Sequence, residues 1–528
     1  MKLFIIGIGG CGGCVAECLL QNQDIPLKGW SLGEHISLGG LNGIWMEADV
    51  GETANHKFFK PPGAAKNGFA PTFLIPHNSV SDDSKTRIFM DKKYGYDMKK
   101  QGFVRQAEYL KAVFEIFDSD PYIRNLAKEE FNSEENPILK CAWDTIRPFT
   151  VLARGDGKGE SADLCDGILF VVSLGGGTGT GFVNPIARYI RSEKTSSLPV
   201  FVLAVLTEMG MERQQSTEEE KRDLGAAISI YDLLTKPKGQ GVDGVILVDN
   251  QILVDAFGGS GNYVAMDDYI SSIMRPMLAA RHYPGENIRG QALSDRILKM
   301  MDWPPILIPC YAGGRGRRRV DELVNSALND VVRQKDVAKG GKLFACDPKK
   351  ADGAFVFARG LMKKDELVQS VSGFLPKNVQ IDVWRKIGDN NEVLILLRNP
   401  YGSQGAHDIS GTFEHRLHRV IKLGLGYLNS SKNEILHSGR PERTTTALNA
   451  YFFGEFGLDY WLRKSLQRME EGKKPLFCKE LKIFVGDAQV KDGFGVFPGG
   501  KSKDEQQDLL RRIERLEQEM ETLRQKEF

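Results

Sequence analysis

The chain has 528 residues, 41% of them hydrophobic, and its 70 lysines and arginines almost cancel its 69 aspartates and glutamates. Balanced charge gives no global field to attract nucleic acid or an anionic membrane, so partners must be argued from local sites. No apolar run approaches the ~20 residues that span a bilayer, and the N-terminus lacks a signal-peptide pattern. Eight cysteines over this length are too sparse for a disulfide framework, so we expect a soluble, cytoplasmic protein.

Read in chain order, LFIIGI (3–8) predicts a buried strand, and the segment after it carries Val15, Cys18 and Leu19 at helical spacing. GIWMEA (43–48) predicts a second strand. Residues 53–93, rich in Pro, Gly, His and Lys, read as a surface insertion; FVRQAEYLKAVFEIF (103–117) has helical period; the charged stretch 119–163 reads as another insertion. GILFVVSL (167–174), PVFVLAVLT (199–207) and GVILVDN (244–250) predict three further strands. Apolar runs alternating with periodic segments are the pattern of a parallel α/β sheet, in which ligands bind beyond the carboxyl ends of the strands.

NYVAMDDYISSIMRPMLAARHY (262–283) predicts one long helix linking two units. Beyond it, ILIPCYA (306–312), AFVFARG (354–360), VLILLRN (393–399) and LKIFVG (481–486) predict strands, with helices over 320–334 and 444–469. The last segment, 504–526, carries Leu509, Ile513, Leu516, Met520 and Leu523 at alternating spacings of four and three, a heptad seam. In a parallel homodimer Arg512 would face Glu517 and Glu519 would face Arg524; the other reading is a helix docked on the body.

The strand 167–174 runs directly into GGGTGTG (175–181), five glycines and two threonines. Successive glycines let backbone N–H groups converge on an anion, and the N-terminus of a following helix adds its dipole. Phosphate is the natural occupant, with Thr178 and Thr180 as hydroxyl donors. No Gly-Lys-Ser/Thr follows, and the spacing is not GxGxxG.

SLGGGTGTG resembles the signature loop of the tubulin and FtsZ superfamily of GTP-binding filament proteins, and other loops of that family follow at strand ends. IGIGGCGGCVAE (6–17) resembles its first nucleotide loop, with Gly9, Gly10, Cys11, Gly12 and Gly13 placed to wrap phosphates and base. IWMEADVGE (44–52) is similar to the second loop, with Glu47, or alternatively Asp49, near magnesium. Gly95 in YGYDMKKQGFVRQAE sits where a loop faces the γ-phosphate; Glu212 and Arg213 occupy the sugar-contact loop; Gly175, Gly176, Gly177, Thr178, Gly179, Thr180 and Gly181 form the cradle itself. Asn250 matches the asparagine that contacts guanine, and Asp268 falls where bacterial members place the acid that accepts guanine's N1 and N2 hydrogens.

The resemblance implies an α/β fold: a Rossmann-like GTP-binding domain (1–261) with two insertions, a central helix with a catalytic-type loop (262–304), and a second α/β or α+β domain (305–487). A linker (488–503) and the heptad helix (504–528) follow. It implies GTP and GDP as ligands, Mg2+ as cofactor, and a head-to-tail homopolymer whose hydrolysis is completed by an acid from the next subunit. GQALSDRI (290–297) resembles the tubulin string that carries that acid. One register places Asp295 first and Leu298 at the catalytic position; the register shifted by three puts Asp295 there, behind Ala292, and Glu286 and Asp302 are further substitutes. We take Asp295 as the candidate catalytic acid.

A sensor subunit that binds GTP without polymerising, working through its C-terminal helix and an adaptor protein, is the rival function. Cys11, Cys14 and Cys18 have a ligand-like CxxC spacing, but no fourth zinc ligand is evident in the sequence.

Overall fold

A computed structural model of the chain describes residues 3–21, 42–47, 167–175, 199–206, 241–259, 261–279, 305–313, 318–334, 337–386, 390–400, 413–430 and 457–471. It also places short strand pieces at 31–32, 35–36, 72–74, 96–97 and 102–103 and isolated positions among 179–190, 208, 223–234, 432 and 449–454.

The first strand, β1 (Leu3–Ile8), is apolar apart from one glycine, and all six of its residues are buried. It leads straight into helix α1 (Gly9–Gln21). Two short pieces, β2 (Ser31–Leu32) and β3 (His35–Ile36), pair antiparallel, ahead of β4 (Asn42–Glu47) and β5 (Thr72–Leu74). A second small pair, β6 (Tyr96–Asp97) and β7 (Gly102–Phe103), follows. Phe103 therefore belongs to a strand: an aromatic residue pairs here with Tyr96 rather than starting the expected helix, the rest of which lies outside the described residues. The apolar runs then give β8 (Gly167–Ser173), β9 (Val200–Leu206) and β10 (Gly244–Asp249).

Helices α2 (Asn250–Phe257) and α3 (Tyr263–Ala279) separate these from β11 (Ile306–Ala312). Next come α4 (Val320–Leu328), β12 (Gly341–Lys342), β13 (Gly353–Arg359), α5 (Lys364–Ser372), β14 (Gln380–Lys386) and β15 (Glu392–Arg398). Two helices, α6 (Phe413–Ser430) and α7 (Leu458–Glu470), complete the described elements. The helix expected over 320–334 ends early because Val331 forms a β-bridge to Lys342. The strand expected at 481–486, the linker and the heptad segment lie outside the described residues.

Strand order is β14-β13-β15-β11-β10-β9-β8-β1-β4-β5, with β12 paired to β11, in one continuous sheet of 11 strands. From β5 through β11 every neighbouring pair is parallel; β15 then runs antiparallel to both β11 and β13, and β14 is parallel to β13. The second half of the chain is thus joined to the first at β10 and β11, through two paired positions, Val245 with Ile306 and Ile246 with Leu307.

Parallel strands need crossovers, so helices cover both faces and the strands are apolar on both sides. On one face Phe4, Ile6, Phe170 and Val172 pack with Val183, Ile186 and Ile230 and, in the second half, with Leu323, Leu367, Ile421 and Trp461. On the other, Ile5, Leu169, Val171 and Phe201 meet Val15 and Leu19 of α1 and the stripe Met266, Ile270, Ile273 and Met277 of α3. Each such side chain contributes about 1.5–3 kcal/mol when fully buried. The same α3 packs on α1 and over β13 and β15, so one helix touches both halves of the sheet. No helix among the described residues is long and apolar enough to cross a membrane.

Candidate functional site

The chain winds outward from β1 in two directions, through β4 and β5 on one side and through β8, β9 and β10 on the other. Between β1 and β8, therefore, the connections leave toward opposite sides, opening a crevice at the carboxyl ends of these strands. Both glycine stretches begin there. Gly9, with φ of 76°, turns β1 into α1, and Gly175 follows the end of β8, its N–H 3.4 Å from the Ser173 hydroxyl.

Close packing explains two of the glycines. A Cβ on Gly12 would stand 2.2 Å from the Val171 carbonyl oxygen, so α1 lies directly on the backbone of β8. One on Gly179 would stand 2.9 Å from the Ser173 oxygen and 3.4 Å from the Ile8 oxygen, so this helical residue of the glycine-rich stretch sits across the mouths of both strands. These positions are bare so that backbone can meet backbone. Gly9, Gly10 and Gly13 share the same helical turn, Gly10 half-buried and the other two buried.

Register aligns further candidates along this edge. Ile8 pairs with Met46, which puts Glu47 one residue beyond, level with Gly9; Asp249 pairs with Leu206, which puts Asn250 at the mouth of β10. Asn250 opens α2 and is half-buried. Asp249 caps the helix: its Oδ1 accepts the Gln251 N–H at 3.0 Å and the Arg416 Nε–H at 3.2 Å. Burial pushes the Asp249 carboxyl up from its ordinary value, opposed by the Arg416 guanidinium and the Gln251 N–H.

Across from α1 stands the first half of α3. Burial holds the Asp267 carboxyl up to about 7, and Asp267 in turn raises the nearby thiols of Cys11 and Cys18. Burial is the larger cause for both cysteines, with Cys14 adding to Cys11, and with Asp268 and Glu17 adding to Cys18, which is pushed up to about 12. The thiols are free and protonated at neutral pH, and no group of three or more His, Cys, Asp or Glu among the described residues could hold a metal ion.

Among solved structures, the chain is similar to CetZ1 from Haloferax volcanii, a GDP-bound monomer, with a TM-score of 0.50 and 15% identity over 81% of this chain and 99% of that one. The chain has a tubulin/FtsZ-like fold. It is also similar to CetZ2 from Haloferax volcanii, a GTPγS-bound protofilament (17% identity, 82% and 100% covered, TM-score 0.49). An empty FtsZ dimer from M. jannaschii gives 14% identity, 77% and 95% covered, and a TM-score of 0.44. No protein-family model and no curated protein sequence matches the chain.

In this tubulin/FtsZ-like fold the structure brings Gly9, Gly10, Cys11, Gly12, Gly13, Gly175, Gly179 and Asn250 to one end of the sheet, and the backbone of Glu47 with them. Asp268 is exposed on α3; its neighbour Asp267, half-buried and coupled to Cys11, is the acid turned toward α1. Three further charged side chains, Asp267 facing α1 and the pair Asp249 and Arg416 beside Asn250, were not among the sequence candidates. The adjacent pair of aspartates offered the only signal for the first, and nothing local marks the last. Asp49, Gly95, Gly176, Gly177, Thr178, Thr180, Gly181, Glu212, Arg213, Glu286, Ala292, Asp295, Leu298 and Asp302 lie outside the described residues.

Proposed function

We propose that the chain is a tubulin-like GTP-binding protein that assembles head to tail and hydrolyses GTP between subunits. The observation that carries this is the meeting of the glycines of 9–13 with Gly175 and Gly179 at the switch point of the sheet. Helix N-termini and bare backbone amides there suit a polyphosphate. The likeness to a GDP-bound CetZ1 supports guanine as the base. Asn250 and an acid on α3, Asp267 in preference to Asp268, are the base-reading candidates. A carboxylate accepts two N–H donors that guanine offers and adenine does not. Mg2+ would neutralise the phosphates, with Glu47 or Asp49 as the acid that would help to hold it, and Asp295 of a neighbouring subunit would orient the attacking water. The segment 504–526 would pair in parallel with a second copy or engage an adaptor.

Titration calorimetry with GTP, GDP and ATP tests the site: guanine nucleotides should bind and ATP should not, and Gly177→Glu, which places bulk and negative charge beside the phosphates, should abolish binding. Equal affinity for ATP would refute the base assignment. Sedimentation with GTP, GDP and a slowly hydrolysed analogue tests assembly; failure to pellet with any of them favours the sensor function.

A pH series tests Asp267. Its carboxyl is held up to about 7 by burial, whereas guanine's donors need the carboxylate. GTP affinity should therefore be full above that value and fall about tenfold between pH 8 and pH 6. Asp267→Asn should flatten the profile, and a flat wild-type profile would remove Asp267 from the site. Without ligand the same shift opposes folding: the folded chain keeps a proton that the unfolded chain releases, so the cost grows as pH rises from about 4 to about 7.

A further inference from the structure

Asp249 is fixed from three directions. Its backbone N–H donates to the Leu343 oxygen at 3.0 Å, and its Oδ1 accepts from Gln251 at the start of α2 and from Arg416 in the first turn of α6. The two charged side chains are only 5% and 2% exposed, although 167 residues separate them in the chain. Arg416 Nη2 is buried and has no hydrogen-bond partner among the described residues.

So buried a pair is a poor investment for stability alone: well-packed apolar replacements usually do as well or better, whereas losing one partner strands a charge. What such a pair does well is hold one geometry. The residue next to it is Asn250, whose backbone is the first turn of the helix that Asp249 caps. Wherever Asp249 is held, Asn250 is aimed.

We propose that Arg416 is a positioning residue for base selection: by gripping Asp249 it fixes the α2 cap, and through that cap the orientation in which Asn250 distinguishes guanine from other bases. This rests on the guanine-nucleotide reading of the site. It also makes base selection depend on α6, a helix of the second half of the chain, so a change in how α6 docks is felt at the base.

The test uses the full chain and two variants. Arg416→Lys keeps the charge but loses the planar fork. Asp249→Asn combined with Arg416→Gln keeps a helix cap and a neutral hydrogen bond in place of the ion pair. Affinities for GTP, ITP and ATP are measured beside the thermal midpoint. The preference for GTP over ATP should fall about tenfold or more in both variants, through weaker GTP binding. A pair that serves stability only would lower the midpoint and leave the preference intact, and that result overturns the proposal. If neither variant folds, hydrogen exchange of the wild-type chain decides: GTP, and not ATP, should slow exchange in α2 and in the first turn of α6, and no slowing in α6 overturns it. Wild-type protein with no preference for GTP would instead refute the guanine reading itself, so the two failures are separable.

Discussion

Gly12→Ala should cost about 3 kcal/mol or more of folding stability, although the change adds one methyl group. That methyl would lie 2.2 Å from the Val171 oxygen, 3.1 Å from its carbonyl carbon and 3.5 Å from Val172 Cα. All three are backbone atoms of β8, a strand paired on both sides by β1 and β9, so none of them can yield without breaking a ladder. Helix α1 must move instead, and Val15, Ala16 and Leu19 leave the core beside α3. The measurement is the midpoint of thermal unfolding and the yield of soluble chain; a wild-type midpoint would show that α1 does not rest on β8. Gly177→Glu makes the contrast: it should leave the midpoint near wild type while removing nucleotide binding. The two outcomes separate glycines that let protein meet protein from glycines that let protein meet phosphate.

Much of this was legible because parallel strands buried on both faces are continuous apolar runs, each ended by glycine or a polar residue. The strand expected at 306–312 is β11 without a shift, and those at 167–174 and 244–250 are one residue too long. In the last case Asp249 and Asn250 turn the chain into α2 through the cap. Strand β14 was missed because QIDVWRK is half-exposed and charged at a sheet edge; its packing is carried by Trp384, stacked on Phe357 at 5.0 Å. Choosing Asp267 over Asp268 is a question of helix phase. Adjacent residues differ by about 100° around the axis, and only the docking of α3 on α1 tells which one faces inward. Arg416 was out of reach of any local pattern: it meets Asp249 through a contact across 167 residues, and nothing in the sequence around it records that contact. The continuity of the sheet was equally hidden, since β10 and β11 share only two paired positions.

Asp295→Ala should keep GTP binding and lose phosphate release by about a hundredfold or more, the range expected when a group that positions or deprotonates the attacking water is removed. The described candidates for the base and the phosphates lie at one end of the sheet, with Asp267 in the second turn of α3. Asp295 comes after the far end of that helix, which is about 25 Å long at 1.5 Å per residue. In the proposed function Asp295 serves a neighbour's nucleotide, and a head-to-tail contact is the arrangement that repeats such a pairing along an open filament. Two further results follow if the acid works between subunits. Wild-type turnover per subunit should rise with protein concentration, and Asp295→Ala chains mixed with wild type should lower total turnover by more than dilution, because each one leaves a neighbour's nucleotide without its acid. Phosphate release by Asp295→Ala at the wild-type rate would move catalysis to Glu286 or Asp302. Turnover independent of concentration would place the acid and the nucleotide in the same chain.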